Sequence, residues 1–181
     1  MTVVRWEDWA GRGLHHLVLT EHADAIVADG VCVDGDADFA ARYRIRCDAA
    51  WRCRELEVEV VGEARSLRLR GDGRGHWTDG AGASLPALAC AIDVDLPITP
   101  FTNTLPVRRL GLVPGASAEI AVVYVRAPAL TVDLDHQRYT CLTPRRYRYE
   151  AVDGSFTAHI DVDEQGLVDT YEGLFRRRAS R

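Results

Sequence analysis

Polar and apolar residues alternate along most of the chain with a period of two. At 55–60 (Glu-Leu-Glu-Val-Glu-Val), acidic and aliphatic side chains alternate strictly. The same alternation recurs at 42–47, 66–70, 130–134 and 156–162. Because successive side chains of a β-strand point to opposite faces, this pattern predicts strands with one buried and one solvated face. Such strands are typical of antiparallel sheets.

One segment is apolar on both of its faces. Residues 120–125 are Ile-Ala-Val-Val-Tyr-Val, so an extended strand here would present apolar side chains in both directions. This predicts a central strand covered on both sides, by a helix, by the opposite wall of a rolled sheet or by a ligand.

Turn-forming residues separate the predicted strands. They occur at 28–30, 34–35, 71–73, 79–80, 114–115 and 153–154, each with Gly beside Asp or Pro. No segment has a sustained helical period, and the stretch 83–92 predicts only a short helical turn because it contains Pro86. The predicted fold class is therefore all-β. We expect a single rolled antiparallel sheet, as a spiral β-roll or open barrel, with at most one or two short helical turns.

Length and composition fit one globular domain over residues 1–181. The chain is 47% hydrophobic and 27% charged, which allows a sizeable core. Its net charge of −5 has the wrong sign for general nucleic-acid binding. No apolar run approaches the roughly 18 residues of a transmembrane helix, and the first residues lack the apolar stretch of a signal peptide. We therefore expect a cytoplasmic protein without a transmembrane segment.

The cysteines and histidines lack metal-binding spacing. The five cysteines include no Cys-x-x-Cys pair, so we expect reduced, buried, small hydrophobic residues. They are Cys32, Cys47, Cys53, Cys90 and Cys141. A Gly-x-Ser-x-Gly motif and a Gly-rich phosphate loop are also absent. The sequence thus predicts no metal, no cofactor and no assigned catalytic residue, which argues against an enzyme.

The segment 90–110 differs in composition from the rest of the chain. It contains the only Asn, three of the seven Pro, three Thr and an Arg pair. Asp93 and Asp95 are two residues apart, so in an extended segment both carboxylates point to one face. Such a pair is compatible with an acid–base couple, a cation site or a sugar clamp. The alternative, which we favour, is a strand end whose carboxylates accept hydrogen bonds from loop amides and from Arg108 or Arg109.

Neutral polar side chains cluster around Asn103 in the same segment. Together with Thr99, Thr102 and Thr104, Asn103 can bind sugar hydroxyl groups. Alternatively, these residues form an Asx or Ser/Thr turn that fixes the loop between Pro100 and Pro106. We favour the turn. A rigid polar loop is also what a binding site requires.

Trp51 and Trp77 each lie near arginines in the sequence, Arg54 among them. An aromatic ring bordered by planar donors can form a platform for a sugar ring or a headgroup. The alternative, which we favour, is that both are core residues, because Trp is usually well buried.

The central segment resembles the putative glycolipid-binding family of bacteria. The similarity lies in Asp-Val-Asp-Leu-Pro-Ile-Thr-Pro-Phe-Thr-Asn-Thr-Leu-Pro at 93–106, followed by the Arg pair. It extends over nearly the whole chain through 42–48, 51–54, 73–77, 137–139 and 163–169. The resemblance implies a spiral, rolled β-sheet akin to bacterial carriers of lipoproteins and lipids, with a role in glycolipid binding or metabolism.

We therefore predict a protein that binds an amphipathic small molecule, which the resemblance specifies as a glycolipid. An apolar concavity lined by Val122, Tyr124 and Tyr139 would hold its apolar part, and a polar rim would hold the headgroup. The candidate ligand-binding residues are Asp93, Asp95, Thr99, Asn103, Thr104, Arg108, Trp51, Arg54, Trp77, Tyr124, Gln137 and Tyr139. Two alternatives stay open: a hydrolase that acts on a glycoside or ester through the Asp pair, and a scaffold or interaction module with a filled core and no ligand.

Overall fold

The computed structural model describes residues 1–179, most of which belong to one large β-sheet. The N-terminal strands are β1 Thr2–Asp8, β2 Leu14–Glu21, β3 Ala25–Val33, β4 Ala40–Asp48, β5 Cys53–Val60, β6 Ser66–Gly71 and β7 Trp77–Asp79. The C-terminal strands are β8 Asp93–Asp95, β9 Ser117–Arg126, β10 Thr131–Thr143, β11 Arg146–Ala151, β12 Thr157–Val162, β13 Val168–Tyr171 and β14 Phe175–Arg177. Their order across the sheet is β7-β6-β5-β4-β3-β2-β1-β14-β13-β12-β11-β10-β9-β8.

Neighbouring strands are antiparallel except for β8, which pairs in parallel with β9. The sheet curls so that distant parts of it meet. The Arg65 guanidinium donates to the Pro128 carbonyl at 2.8 Å, and the Cys53 N–H donates to the Ile92 carbonyl at 3.3 Å. The roll stays open, because β7 and β8 end the strand order without pairing with each other. The predicted fold class is confirmed.

A short helical segment follows β8. It consists of a 3₁₀-helix, Pro100–Asn103, and an α-helix, α1, Thr104–Leu110. The Thr99 side chain caps its first turn, and Gly111, with a φ of 54°, ends it in the left-handed conformation. A further 3₁₀ turn, Pro86–Leu88, lies in the stretch that was predicted to hold one. No helix in the described part of the chain has the length and apolar character needed to cross a bilayer.

Side chains of this segment fill much of the roll. Leu96, Phe101 and Leu105 are fully buried and belong to the main hydrophobic core, which they share with residues from β1 to β7. Both faces of β9 are covered, as its apolar sequence predicted: Val123 packs in the main core, and Ile120 packs against a second core under β10–β14.

The predicted apolar concavity is therefore largely occupied by the protein itself. Val122 and Tyr139, which were expected to line it, are only 1% and 2% exposed, and that part of the prediction was wrong. Tyr124 is the one of the three that lines the cleft described below. The physical reason is that the segment 93–110 carries apolar side chains of its own, and their burial inside the roll removes them from water.

One predicted turn is instead part of a strand. Ala28-Asp29-Gly30 lies in the middle of β3, where Gly30 is opposite Tyr43 of β4. A Cβ atom on Gly30 would lie 2.1 Å from Cζ of Tyr43, so glycine is required here to make room for the ring. The Tyr43 hydroxyl lies 3.1 Å from Thr99 Oγ1, and this hydrogen bond ties the strand to the start of the helical segment.

Four of the five cysteines are buried as predicted, but Cys90 is exposed. Cys90 has a φ of 74° and its N–H donates to the Gly75 carbonyl. It lies in the connection between the Pro86–Leu88 turn and β8, where Ala89 is exposed as well, before the chain re-enters the core at Ala91.

Candidate functional site

A cleft of about 350 Å³ opens beside the start of the helical segment, and we name it the Asp95 cleft. Its polar lining consists of Asp95, Thr99, Asn103, Tyr124, Arg126, Asp135, Asp153 and Ser155. Its other lining residues are Pro97, Tyr149, Ala151, Phe156, Tyr171, Leu174 and Phe175. Seven of them lie near the C-terminal ends of β8, β9, β11 and β13 or at the N-terminal end of β14. Because adjacent antiparallel strands alternate in direction, these ends meet at one end of the roll.

Asp95 is held by neutral donors. Its Oδ1 accepts a hydrogen bond from Thr102 Oγ1 at 2.9 Å, and its Oδ2 accepts one from Gln137 Nε2 at 2.7 Å. No cation of residues 1–179 lies within salt-bridge distance of it. Burial raises the pKa of Asp95, and the Asp135 carboxylate raises it further, whereas the bonds from Gln137 and Thr102 act in the opposite direction. Asp95 is thus a fixed hydrogen-bond acceptor at the wall of the cleft, with no cationic partner among the described residues.

Asn103 is fixed in a comparable way. Its Oδ1 accepts a hydrogen bond from the Tyr139 hydroxyl at 2.8 Å, and its Nδ2 donates to the Pro100 carbonyl at 3.2 Å. An amide nitrogen carries two hydrogens, so one N–H remains for a ligand. Thr99, the next polar residue of the cleft, is bonded to Tyr43 and to the Phe101 N–H.

The charges that line the Asp95 cleft are mainly negative. Asp95, Asp135 and Asp153 supply three carboxylates, and Arg126 is the one cation among the lining residues. Arg126 forms an ion pair with Asp133, outside the cleft, and its guanidinium stacks 4.7 Å from the centre of the Tyr124 ring. The cleft is therefore an unfavourable place for an anion.

Asp93 has a different partner from Asp95. Its carboxylate, 0% exposed, accepts hydrogen bonds from two nitrogens of Arg109. Nε lies 3.0 Å from Oδ1 and 3.2 Å from Oδ2, and Nη2 lies 2.6 Å from Oδ2. Burial raises the pKa of Asp93, and Arg109 opposes that shift. Because its side chain is fully buried against Arg109, Asp93 does not contribute to the lining of the Asp95 cleft.

Other candidate residues lie away from the cleft. The Arg108 guanidinium stacks 4.5 Å from the Trp51 ring centre and donates to the Gln165 carbonyl. Trp77 is buried in the main core with its indole N–H bonded to the Ala91 carbonyl. The two remaining residues are Arg54, which donates to the Gly71 carbonyl, and Thr104, whose hydroxyl is buried without a partner among the described residues.

The structure thus brings together half of the twelve candidates. Asp95, Thr99, Asn103 and Tyr124 line the cleft, and Gln137 and Tyr139 lie directly behind it as hydrogen-bond partners. The six that it places elsewhere are Asp93, Thr104, Arg108, Trp51, Arg54 and Trp77.

Sequence reasoning missed the aromatic wall of the cleft. Tyr149 makes edge or tilted contacts with Phe156 and Tyr171, with ring centres 5.9 Å and 6.0 Å apart, and Tyr171 lies 6.5 Å from Phe175. A signal was present in Arg-Tyr-Arg-Tyr at 146–149, whose alternation places both tyrosines on one face. The other aromatic rings that these tyrosines contact are determined by the order of strands in the sheet, and the local alternation of residues does not reveal that order.

Together, the fold and the site define a class of protein: an open, rolled antiparallel sheet that encloses a short helical segment and keeps a cleft of ligand size at one end. The sequence profile of the family described as putative glycolipid-binding matches residues 3–177. The chain belongs to that family, as the central segment predicted.

The chain is also similar to a solved structure, the crystal structure at 1.80 Å resolution of a DUF1089 family protein from Pseudomonas aeruginosa. The two sequences are 43% identical, and the TM-score is 0.79. The match covers 91% of this chain and 92% of that chain. Among curated proteins, no sequence matches this one.

Proposed function

We propose that this protein binds an amphipathic ligand with a neutral, hydroxyl-rich headgroup, a glycolipid, and that the headgroup occupies the Asp95 cleft. One observation carries the proposal: fixed polar atoms and an aromatic wall meet in a single cleft of about 350 Å³. Ligand pockets typically have volumes of roughly 300–1,000 Å³ and combine apolar walls with a few oriented polar groups. The family description supports the glycolipid part of the proposal.

The polar groups of the Asp95 cleft are better suited to bind the hydroxyls of a neutral headgroup than to bind an anionic headgroup. Each oxygen of Asp95 accepts one hydrogen bond from the protein and can accept another, and Asn103 has an N–H to donate. A sugar hydroxyl both donates and accepts, so it matches the two residues together. An anionic headgroup would instead meet the carboxylates of Asp95, Asp135 and Asp153.

A partly exposed apolar surface of the protein lies at the cleft and can contact the apolar part of the ligand. Phe156 and Leu174, which line the cleft, are 38% and 37% exposed. Exposed apolar side chains beside a polar pocket provide area from which bound alkyl groups can displace water. Because the helical segment fills the roll, the proposal places the start of an alkyl chain against these residues rather than a whole chain inside the sheet.

The geometry does not favour the hydrolase alternative. An acid–base mechanism through Asp93 and Asp95 needs both carboxylates to face the substrate. The Asp93 carboxylate is fully buried and paired with Arg109, and of the two only Asp95 lines the cleft.

The proposal is tested by calorimetric titration with dodecyl β-D-glucoside below its critical micelle concentration. We expect binding, and we expect Asp95→Asn to weaken it about tenfold or more, because a hydrogen bond to a charged group contributes roughly 1.5–3 kcal/mol. Asp29→Asn, on the exposed face of β3, is the matched control and should bind like the wild type. No binding by the wild type, or equal binding by a folded Asp95→Asn protein, would refute the proposal.

A further inference from the structure

A second cleft, of about 530 Å³, lies beside the first. We name it the His15 cleft. It shares Pro97, Leu174 and Phe175 with the Asp95 cleft, so the same three residues form part of the wall of both. Its other side includes Trp9, which directly follows β1, and His15, near the start of β2.

His15 is a buried polar side chain with one ring nitrogen that has no partner among the described residues. It is 4% exposed, and its Nδ1 atom has no hydrogen-bond partner among the described residues. A buried polar atom left without a hydrogen bond is unfavourable, and native proteins rarely keep one without a reason. Burial lowers the pKa of His15 to about 4, although Asp8 and Asp34 oppose that shift. At neutral pH the ring is therefore uncharged, with one donor and one acceptor nitrogen.

The carboxylates around His15 are already bonded. Asp8 accepts from the N–H groups of Arg12 and Gly13 at 2.8 Å and 2.7 Å. Asp34 accepts from two backbone N–H groups of its own turn, and Asp36 forms an ion pair with Arg12 at 2.5 Å. Each of these carboxylates thus has a partner, whereas His15 Nδ1 has none among the described residues. The surrounding negative charge disfavours an anionic ligand.

The rest of the His15 cleft is apolar and partly exposed. Trp9 is 47% exposed, and Ile98, Leu174 and Phe175 also line the cleft. A sugar ring has an apolar C–H face, which packs on an exposed indole, and an edge of hydroxyls, which can donate to or accept from an imidazole. A quaternary ammonium group would also pack on Trp9, but it would leave His15 without a partner.

Aromatic contacts connect the two clefts. The His15 and Phe175 rings meet edge to face, with centres 4.9 Å apart at 89°. Phe175 in turn contacts Tyr171, which contacts Tyr149 in the wall of the Asp95 cleft. A ligand that occupied both clefts would therefore cross a continuous apolar surface.

We propose that the His15 cleft is a second carbohydrate subsite, in which a neutral sugar ring packs on Trp9 and bonds to His15. This rests on the proposed function, because the second sugar belongs to the same ligand as the first. The preferred headgroup would then contain at least two sugar rings.

The test compares dodecyl β-D-maltoside with dodecyl β-D-glucoside by calorimetry and by NMR, both below the critical micelle concentration. We expect the maltoside to bind about tenfold more tightly and to shift the ring signals of His15 and Trp9. His15→Leu and Trp9→Ala should abolish the gain and leave glucoside affinity unchanged. His15→Leu should fold normally because no hydrogen bond is lost, and His16→Leu, on the opposite face of β2, is the control.

The outcomes separate the two proposals. If the glucoside binds with the expected dependence on Asp95 but the maltoside gains nothing, or if both variants keep the gain, the second subsite is refuted and the proposed function stands. If the maltoside shifts only His15 and Trp9 and the Asp95 cleft shows no response, the proposed function fails, and the assignment of the His15 cleft as a second subsite of the same ligand fails with it. A larger response of Trp9 to dodecylphosphocholine than to maltoside would refute a sugar as its ligand.

Discussion

The polar atoms of the Asp95 cleft are fixed by residues that do not line it. Gln137 orients Asp95, Tyr139 orients Asn103, and Tyr43 bonds to Thr99. All three supporting side chains are buried, with exposures of 1–2%. Groups that are already oriented lose little conformational entropy when a ligand binds, which favours affinity.

Replacing Gly30 with alanine tests this support. The new Cβ would lie 2.1 Å from Cζ of Tyr43, so the ring must move and its bond to Thr99 is lost. We expect a fall of about 1–3 kcal/mol in the free energy of unfolding, which is typical of overpacking, measured by urea denaturation. Gly80→Ala, whose nearest contact would be an ordinary 3.4 Å, should change little. A Gly30→Ala protein as stable as the wild type would contradict the contact.

Because His15 is buried in its neutral form, we expect the stability of the protein to depend on pH. Its folded pKa is about 4, and its unfolded pKa is roughly 6.5. Between these values the unfolded chain binds more protons, so the stabilisation is present above pH ~6.5 and is lost as the pH falls towards 4. Between pH 7.5 and 4.5, the wild type should lose about 2–3 kcal/mol more than His15→Leu in urea denaturation. Equal losses in the two proteins would show that His15 is not buried in the neutral form.

At the level of secondary structure, the segment from β8 to α1 has two functions. Its apolar residues Leu96, Phe101 and Leu105 fill the roll, and its polar residues Asp95 and Asn103 line the cleft. The buried ion pair between Asp93 and Arg109 joins β8 to α1. The polar residues are thus held in place by the same segment that completes the core.

Removing one partner of that ion pair should be costly. Arg109→Met leaves the Asp93 carboxylate buried without a cation, which typically lowers the free energy of unfolding by about 3–5 kcal/mol. The double variant Asp93→Leu/Arg109→Met removes both charges and should regain most of this loss. Urea denaturation of the three proteins measures the effect. An Arg109→Met protein of normal stability, or a double variant less stable than the single one, would argue against a structural pair.

The strands were more predictable than their contacts. Strict alternation at 55–60 identified β5 because one face of the strand is dry, and the apolar run at 120–125 identified a covered β9. The turn signal at 28–30 failed because Gly30 serves to accommodate Tyr43, a residue from another strand. α1 was not foreseen, because a seven-residue helix containing Pro106 has too few turns to show a period.

The strand order of the whole molecule assembles the site. β1 pairs with β14, so Asp8 lies opposite Phe175, and the ends of strands far apart in sequence meet beside the helical segment. Asp95 and Asn103 were identifiable because they lie in one unusual stretch. Phe156, Tyr171 and Phe175 were not, because each lies near a strand end with nothing local to mark it, and only the completed sheet brings them together.

The central claim is that the Asp95 cleft receives the headgroup of an amphipathic ligand. The most direct measurement is a set of intermolecular NMR contacts between the protein and dodecyl β-D-glucoside. We predict contacts from the sugar protons to the Asn103 side-chain amide and the Tyr124 ring, and from the first alkyl protons to Phe156 and Leu174. Contacts confined to the outer face of the sheet, or sugar protons that contact none of the residues lining the cleft, would contradict it.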